Sequence, residues 1–294
     1  MIIDVSEHNG VLNWGKLKPQ IEGAILRCGY GSDKASQDDK QWARNVSECE
    51  RLGISYGVYI YSYAKTEDAA RSEAQHVLRL IKGHNPALPI FWDIEENALQ
   101  HTARKFFYTF SEAIGSKYRV GLYSYESYYN ACLQGVAADL LWIAKYGANN
   151  GKPQQAPNLL DGKSYHLWQY TSVAIDGHTD ASQVINRAAL FKTAKKTKKT
   201  KKSVATIAAE VIAGKWGVGE DRRARLLAAG HIYSDVQAEV NRRLGGSKKS
   251  IDTIAREVIA GQWGNGEDRT NRLEKAGYDP VQIQRRVNEL LLPW

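Results

Sequence analysis

Residues 203–244 recur at 250–291 without a gap, at an offset of about 47 with about 23 of 42 positions identical, and a repeat of that length constrains the architecture before any other feature does. The first copy contains Ile207-Ala208-Ala209-Glu210-Val211-Ile212-Ala213-Gly214-Lys215-Trp216-Gly217-Val218-Gly219-Glu220-Asp221-Arg222. The second contains Ile254-Ala255-Arg256-Glu257-Val258-Ile259-Ala260-Gly261-Gln262-Trp263-Gly264-Asn265-Gly266-Glu267-Asp268-Arg269. Ile207, Val211 and Ile212 follow helical spacing, Gly214 stops that helix, and Trp-Gly-x-Gly makes a turn before Glu-Asp opens the next. Ala229-Gly230 and Ala276-Gly277 end the second helix, while Val236/Val240 and Ile283/Val287 give a third its apolar face. Each copy therefore reads as a small three-helix bundle. A bundle of about 42 residues is marginal alone, so a tandem pair implies a module that binds rather than one that catalyses.

The first 190 residues carry another pattern. Strand-like apolar runs recur at Ile2–Val5, Ala24–Arg27, Tyr56–Tyr63, Pro89–Glu95, Arg119–Tyr125, Leu140–Tyr146 and Tyr165–Thr171, with helical stretches such as Lys40–Arg51 and Thr66–Lys82 between them. Strand and helix in alternation predict an α/β domain with a parallel sheet, and seven or eight strands without a dinucleotide glycine signature predict a closed or nearly closed barrel. Gly29-Tyr30-Gly31 is not a phosphate loop, because neither GxxxxGK nor GxGxxG follows it. No apolar run approaches the ~20 residues that span a bilayer, so membrane insertion is not expected. The start, Met1-Ile2-Ile3-Asp4-Val5, lacks a basic n-region and an apolar h-region, and predicts synthesis without a secretory leader.

The chain carries a formal charge of +8 and a pI near 9.2, which raises a nucleic-acid partner as a hypothesis. The excess has an address, however. About 20 basic and 20 acidic residues fall before Thr193, so the surplus lies in the last third, much of it in Lys195-Lys196-Thr197-Lys198-Lys199-Thr200-Lys201-Lys202. Such a run reads as a solvated linker, and no nucleic-acid motif accompanies it. The odd set Cys28, Cys49 and Cys132 contains no CxxC pair and reads as structural thiols.

Reactive groups in a barrel of this kind sit at the carboxyl ends of strands. Four acids take that place: Asp4 in the first run, Asp93 and Glu95 at the end of Pro89-Ile90-Phe91-Trp92-Asp93-Ile94-Glu95, and Asp180 after the Trp168-Gln169-Tyr170 strand. Strand alternation points Asp93 and Glu95 the same way, about 6.5 to 7 Å apart at the backbone. Two neighbouring carboxylates do not both ionise at their reference pKa, so one is raised toward the range of a general acid. Glycoside hydrolysis needs that pairing of a protonated acid with an anion. No HExxH or His-x-His spacing accompanies His8 or His178, so no metal is expected. The Gly-x-Ser-x-Gly elbow is also missing. No cofactor is called for.

Aromatic residues crowd the strand ends, and their faces suit the C–H surfaces of pyranose rings. Tyr61, Tyr123, Trp142 and Trp168 are expected to line the cleft, with the remaining half of the aromatics turned to the outer core. In the repeats, Trp216 and Trp263 read first as the bundles' own core. Arg222, Arg225, Arg269 and Arg272 recur beside Asp221 and Asp268 and are better placed to bind a carboxylate, since guanidinium groups make bidentate contacts.

Asp4-Val5-Ser6-Glu7-His8-Asn9-Gly10, Asp39-Lys40-Gln41-Trp42-Ala43-Arg44-Asn45, Gly57-Val58-Tyr59-Ile60-Tyr61-Ser62-Tyr63-Ala64, Phe91-Trp92-Asp93-Ile94-Glu95, Leu141-Trp142-Ile143-Ala144-Lys145-Tyr146 and Leu167-Trp168-Gln169-Tyr170-Thr171 resemble the successive motifs of glycoside hydrolase family 25. These are lysozymes found in many phage endolysins, and the likeness extends over 1–190. The repeats resemble the CW-seven cell-wall-binding repeat. The resemblance implies an irregular (β/α) barrel that cuts the β-1,4 bond between N-acetylmuramic acid and N-acetylglucosamine of bacterial peptidoglycan, with retention of configuration. It implies Glu95 as proton donor, Asp93 as its partner, Asp4 and Asp180 as supporting acids, and a muropeptide as the ligand of the repeats. Either a carboxylate nucleophile or the substrate's own acetamido group, oriented by Asp93, fits the pattern; the Asp-x-Glu pair favours the second. Thr179-Asp180-Ala181-Ser182 departs from the family's Val-Asp-Leu-Asn, which leaves Asp176 as a rival to Asp180.

The expected domains are a catalytic domain over 1–192, a lysine-rich linker over 193–202, a first repeat over 203–245, a short linker over 246–249 and a second repeat over 250–294. The resulting expectation is a modular endolysin made in the host cytoplasm and acting at the cell wall. A catalytically silent glycan-binding protein is the alternative.

Overall fold

The computed structural model describes residues 1–96, 102–175, 177–191, 202–244 and 249–291. They fall into two compact units, the first holding the residues before the lysine run together with Val218–Gly230, the second the other C-terminal helices. Most of the lysine run, and Asp176, lie outside the described residues.

In the first unit eight strands close into a barrel in chain order: β1 (Ile2–Val5), β2 (Gly23–Tyr30), β3 (Tyr56–Tyr61), β4 (Ile90–Asp93), β5 (Val120–Tyr125), β6 (Leu140–Ala144), β7 (Leu167–Thr171) and β8 (Asp180–Val184). Neighbours from β1 to β7 are parallel, whereas β8 runs antiparallel to both β7 and β1 and seals the seam. The helices of this unit are α1 (Trp14–Leu17), α2 (Trp42–Leu52), α3 (Glu67–Leu80), α4 (Ala103–Ile114), α5 (Glu126–Tyr128), α6 (Arg187–Leu190) and α8 (Gly219–Ala228). The expected helices 40–51 and 66–82 correspond to α2 and α3. Thr66 caps α3 by accepting from the Ala69 amide, and Gly53 ends α2 at a φ of 65° that other residues adopt at a cost.

Alternation along each strand separates two cores. Ile90 and Trp92 face outward, where Trp92 stacks on Phe110 of α4 with ring centroids 5.4 Å apart. Phe91 faces inward with Ile2, Ile25, Tyr123, Trp142 and Leu167 and fills the barrel. Cys28 and Cys49 belong to the outer core, and burial pushes both thiols up.

In the second unit α7 (Val204–Ile212) and α9 (Tyr233–Arg243) come from the first repeat. The second repeat supplies α10 (Ile251–Ile259), α11 (Gly266–Lys275) and α12 (Pro280–Leu291). All three helices of the second copy contribute to one core of Ile254, Ala255, Val258, Leu273, Ile283 and Val287. The copies share their fastenings. Ser203 and Ser250 cap the first helix, while the Trp216 and Trp263 indoles donate to Glu210 at 3.1 Å and Glu257 at 3.0 Å. These two tryptophans thus serve the repeats' own structure.

Gly121 pairs with Phe91 across β4 and β5, and a Cβ added there would stand 2.3 Å from the Phe91 ring. Gly121→Ala is expected to cost about 1–3 kcal/mol by overpacking the barrel, read as a lower thermal midpoint; an unchanged midpoint would show that the ring has room to move.

Candidate active site

The four acids meet at one end of the barrel because of strand direction. Asp4 is the third residue of β1, and Asp93 closes β4. β8 is reversed, so its first residue, Asp180, reaches the same end and stands directly opposite Asp4 in register. The sequence places Asp180 beyond the Trp168-Gln169-Tyr170 strand without assigning it a strand of its own, and the reversal of β8 explains how it joins the others: the rim at the carboxyl ends of parallel strands coincides with the amino end of an antiparallel one. Glu95 lies two residues past the end of β4, whose pairing stops earlier than the expected 89–95 run.

Burial dominates the electrostatics. Asp4 and Asp93 are 5% and 4% exposed. Desolvation lifts both carboxyls well above their ordinary range; the nearby Asp180 charge raises Asp4 further, and the Glu95 charge does the same for Asp93. Burial, aided by the Asp180 and Glu96 charges and opposed by a hydrogen bond with Tyr123, raises Glu95 to about 7. Burial raises Asp180 to about 6. Arg27 on β2 is the nearby cation that lowers Asp93. Its guanidinium also donates to Asp39 at 2.7 Å and Glu7 at 2.8 Å, which shares its charge among three carboxylates.

Hydrogen bonds distinguish the two most buried acids. Both oxygens of Asp4 accept from the Gln169 amide nitrogen at 3.0 Å. Asp93 Oδ1 is buried and has no hydrogen-bond partner among the described residues. Buried carboxylate oxygens are normally satisfied, so an orphan beside other buried acids marks a place for a ligand's donor.

Of the expected cleft aromatics, Tyr61 and Tyr123 flank Asp93 in register on β3 and β5. Tyr61 donates to Glu96 at 3.0 Å and Tyr123 to Gln169 at 2.6 Å. Trp142 and Trp168 do not line the cleft. Trp142 points into the barrel but is 1% exposed, packed against Tyr123 at 4.4 Å and bonded to Ser182, so it forms a floor beneath the site. Trp168 has the opposite parity: it faces outward in a cluster with Tyr170 and Ala181, and its indole donates to the Lys145 carbonyl. The inward position of that strand belongs to Gln169. Tyr63 and Tyr125, at 49% and 40% exposure, give the rim its open aromatic surface. The missed residues, Gln169 and Arg27, share a legible signal, a polar side chain at the inward parity of an apolar strand.

In the second repeat, Arg269 lines a groove of ≈ 470 Å³ between α11 and α12 together with Leu273, Pro280 and Arg285. Arg272 does not line it and pairs with Asp268 at 2.9 Å, as Arg225 pairs with Asp221 at 3.0 Å in the first copy. Arg222 is the first-copy counterpart of Arg269.

A raised acid, a second buried carboxyl and an aromatic rim make up a site equipped for acid-assisted cleavage of a glycosidic bond. The comparisons with known proteins agree. Residues 3–178 match Glycosyl hydrolases family 25, and residues 205–244 and 252–291 each match the CW_7 repeat. The lysozyme of Streptococcus phage Cp-7 is 30% identical over 260 residues, covering 82% of this chain and 69% of that protein. Among solved structures, the catalytic domain of endolysin ply40 from bacteriophage P40 of Listeria monocytogenes aligns with a TM-score of 0.58 at 26% identity, over 65% of this chain and 95% of that one. The modular autolysin LytC of Streptococcus pneumoniae aligns with a TM-score of 0.50 at 31% identity, over 62% of this chain and 45% of that one. The chain belongs to glycosyl hydrolase family 25 and carries two CW_7 repeats after its catalytic barrel.

The raised carboxyls bear on stability as well as chemistry. Glu95, raised to about 7, and Asp180, raised to about 6, hold their protons to higher pH in the folded barrel than in the unfolded chain, so through these two groups the folded state binds more protons between about pH 4 and 7. Stability is therefore complete below that window and declines as pH rises through it. Glu95→Gln removes one such group and is expected to raise stability at pH 8 by about 1–3 kcal/mol while leaving pH 4 unchanged. Calorimetry at the two pH values checks this, and equal midpoints for the variant and the parent at pH 8 would refute it.

Proposed function

We propose that the chain is an endolysin-type N-acetylmuramidase that cuts the β-1,4 bond between N-acetylmuramic acid and N-acetylglucosamine in bacterial peptidoglycan. The observation that carries the reading is the pair formed by Glu95, raised to about 7, and Asp93, whose buried Oδ1 lacks a partner. Glu95 holds its proton near neutrality and delivers it to the glycosidic oxygen as the bond breaks. The 2-acetamido N–H of the sugar whose anomeric carbon is attacked fits the unpartnered acceptor Oδ1 of Asp93. Held there, the acetamido oxygen attacks the anomeric carbon from the face opposite the leaving group and forms a cyclic intermediate. Glu95, now ionised, takes a proton from the water that opens it, and two inversions retain configuration. The Asp180 and Glu96 charges help keep Glu95 protonated, and negative potential from the acid cluster favours the positive charge developing at the sugar ring.

The repeats carry the enzyme to its substrate. Arg269 in its groove, and Arg222 in the first copy, are placed to bind the carboxylates of a muropeptide. The basic charge of the C-terminal third adds attraction to the anionic polymers of the wall.

Digestion of purified peptidoglycan followed by mass spectrometry of the new reducing ends tests the bond. Reducing muramic acid is expected; reducing glucosamine would mean a glucosaminidase, and no products would mean a binding protein. Glu95→Gln is expected to lower turnover by at least about 100-fold without changing sedimentation with walls, and near-normal turnover would remove Glu95 from the acid role. Replacing Arg222 and Arg269 together with Ala is expected to weaken sedimentation with walls while leaving hydrolysis of soluble fragments intact. Unchanged sedimentation would exclude these arginines from the binding site.

A further inference from the structure

α8 carries residues of the first repeat yet packs on the catalytic barrel. Its Arg223 is 6% exposed. The guanidinium grips a side chain of α4: Nε and Nη2 donate to the two oxygens of Glu112, each at 3.2 Å, and Nη2 also donates to the Thr109 hydroxyl at 2.9 Å. Glu67 of α3 stands 3.9 Å from Nη1. Ala224 and Leu227, beside Arg223 on the helix, pack against the outer core of the barrel. Burying a guanidinium is costly unless acceptors meet it, and these acceptors belong to the barrel.

The second copy has the same helix with a different face. Arg223, Ala224 and Leu227 become Thr270, Asn271 and Glu274, whereas Arg222, Arg225 and Leu226 recur as Arg269, Arg272 and Leu273. Leu273 belongs to the core of its own bundle, so what recurs includes the residue that builds the bundle. The three positions that change stand at i, i+1 and i+4 and share one side of the helix. Asn271 and Glu274 are exposed on α11, while Ala224 and Leu227 are partly buried on α8. Composition and contact change together: the face is apolar around one buried cation where it meets the barrel, and polar where it meets water. We propose that α8 is a docking helix, whose Arg223, Ala224 and Leu227 recognise the α4 surface of the catalytic barrel. The two repeats are therefore not interchangeable. This face of the first is committed to the barrel, whereas in the second Thr270 lines the open groove between α11 and α12.

The test is amide hydrogen exchange of the full chain, read by mass spectrometry as protection of α4. One variant combines Arg223→Thr, Ala224→Asn and Leu227→Glu. These are the residues that α11 carries in a folded bundle, so the first repeat keeps a sequence its fold accepts. Protection of α4 is expected to fall by at least about tenfold in this variant, because the helix that covers it has lost its matching face. Unchanged protection of α4 overturns the inference. Arg223→Ala, Glu112→Ala and the double variant give a second measurement, which holds even if the triple variant unsettles its own repeat. Once Arg223→Ala is in place, adding Glu112→Ala is expected to change the exchange of α8 little, since the pair is already broken. Effects of the two substitutions that add in full would show that they act separately, and would overturn the assignment of α4 as the docking surface.

Discussion

Four carboxyl groups share one end of a closed barrel, and the rest of the catalytic unit is arranged around the cost of keeping them there. Removing a carboxylate from water is unfavourable, and placing others beside it adds to the penalty. The protein meets that cost in different ways at different acids. Asp4 receives two hydrogen bonds from one amide, Asp93 keeps an oxygen unsatisfied, and Glu95 and Asp180 remain partly open to solvent. The nearby cation, Arg27, is bound to Asp39 and Glu7 and cannot discharge the cluster by pairing with one of its acids. A site in which every carboxylate had found its own cation would be more stable and chemically silent.

Much of this was legible in the amino acids, and the gaps have physical causes. Seven of the eight strands show as apolar runs, because strands covered on both faces need apolar residues at nearly every position. Asp93 and Glu95 stand out by being charged in such a run. β8, Asp-Ala-Ser-Gln-Val, has no such signature: most of its residues are polar, and its place is set by the open seam between β7 and β1. Side-chain parity was the other difficulty. In Leu167-Trp168-Gln169-Tyr170-Thr171 the large aromatics attract the eye for a sugar site, yet they pack outward, while a modest glutamine takes the inward position. Size favoured the tryptophan and polarity favoured the glutamine. In the interior of a barrel that carries buried acids, polarity decides, since something must hydrogen-bond to them.

The repeats show the complementary case. Identities between the copies fall on the capping serines, the Trp–Glu bonds and much of the apolar core, and also on Arg222/Arg269 and Arg225/Arg272, so the similarity that makes the repeat visible records both fastenings and charges. The groove between α11 and α12 is lined partly by residues that differ from their counterparts: Pro280 stands where the first copy has Tyr233, and Arg285 where it has Ala238. The copies thus share a scaffold while presenting different surfaces.

The antiparallel last strand carries a consequence for how activity arises in time. Asp4 and Asp180 are neighbours across the seam although they lie at opposite ends of the barrel segment, and β1 has no second partner until β8 is made. Contacts of such long sequence separation form late and slowly in folding. The ribosome therefore releases nearly the whole barrel sequence before the acid cluster can exist, and a chain interrupted upstream of Asp180 leaves β1 with an open edge where Asp180 would face Asp4. The acid cluster is not assembled piece by piece along this chain; it is completed by its last strand.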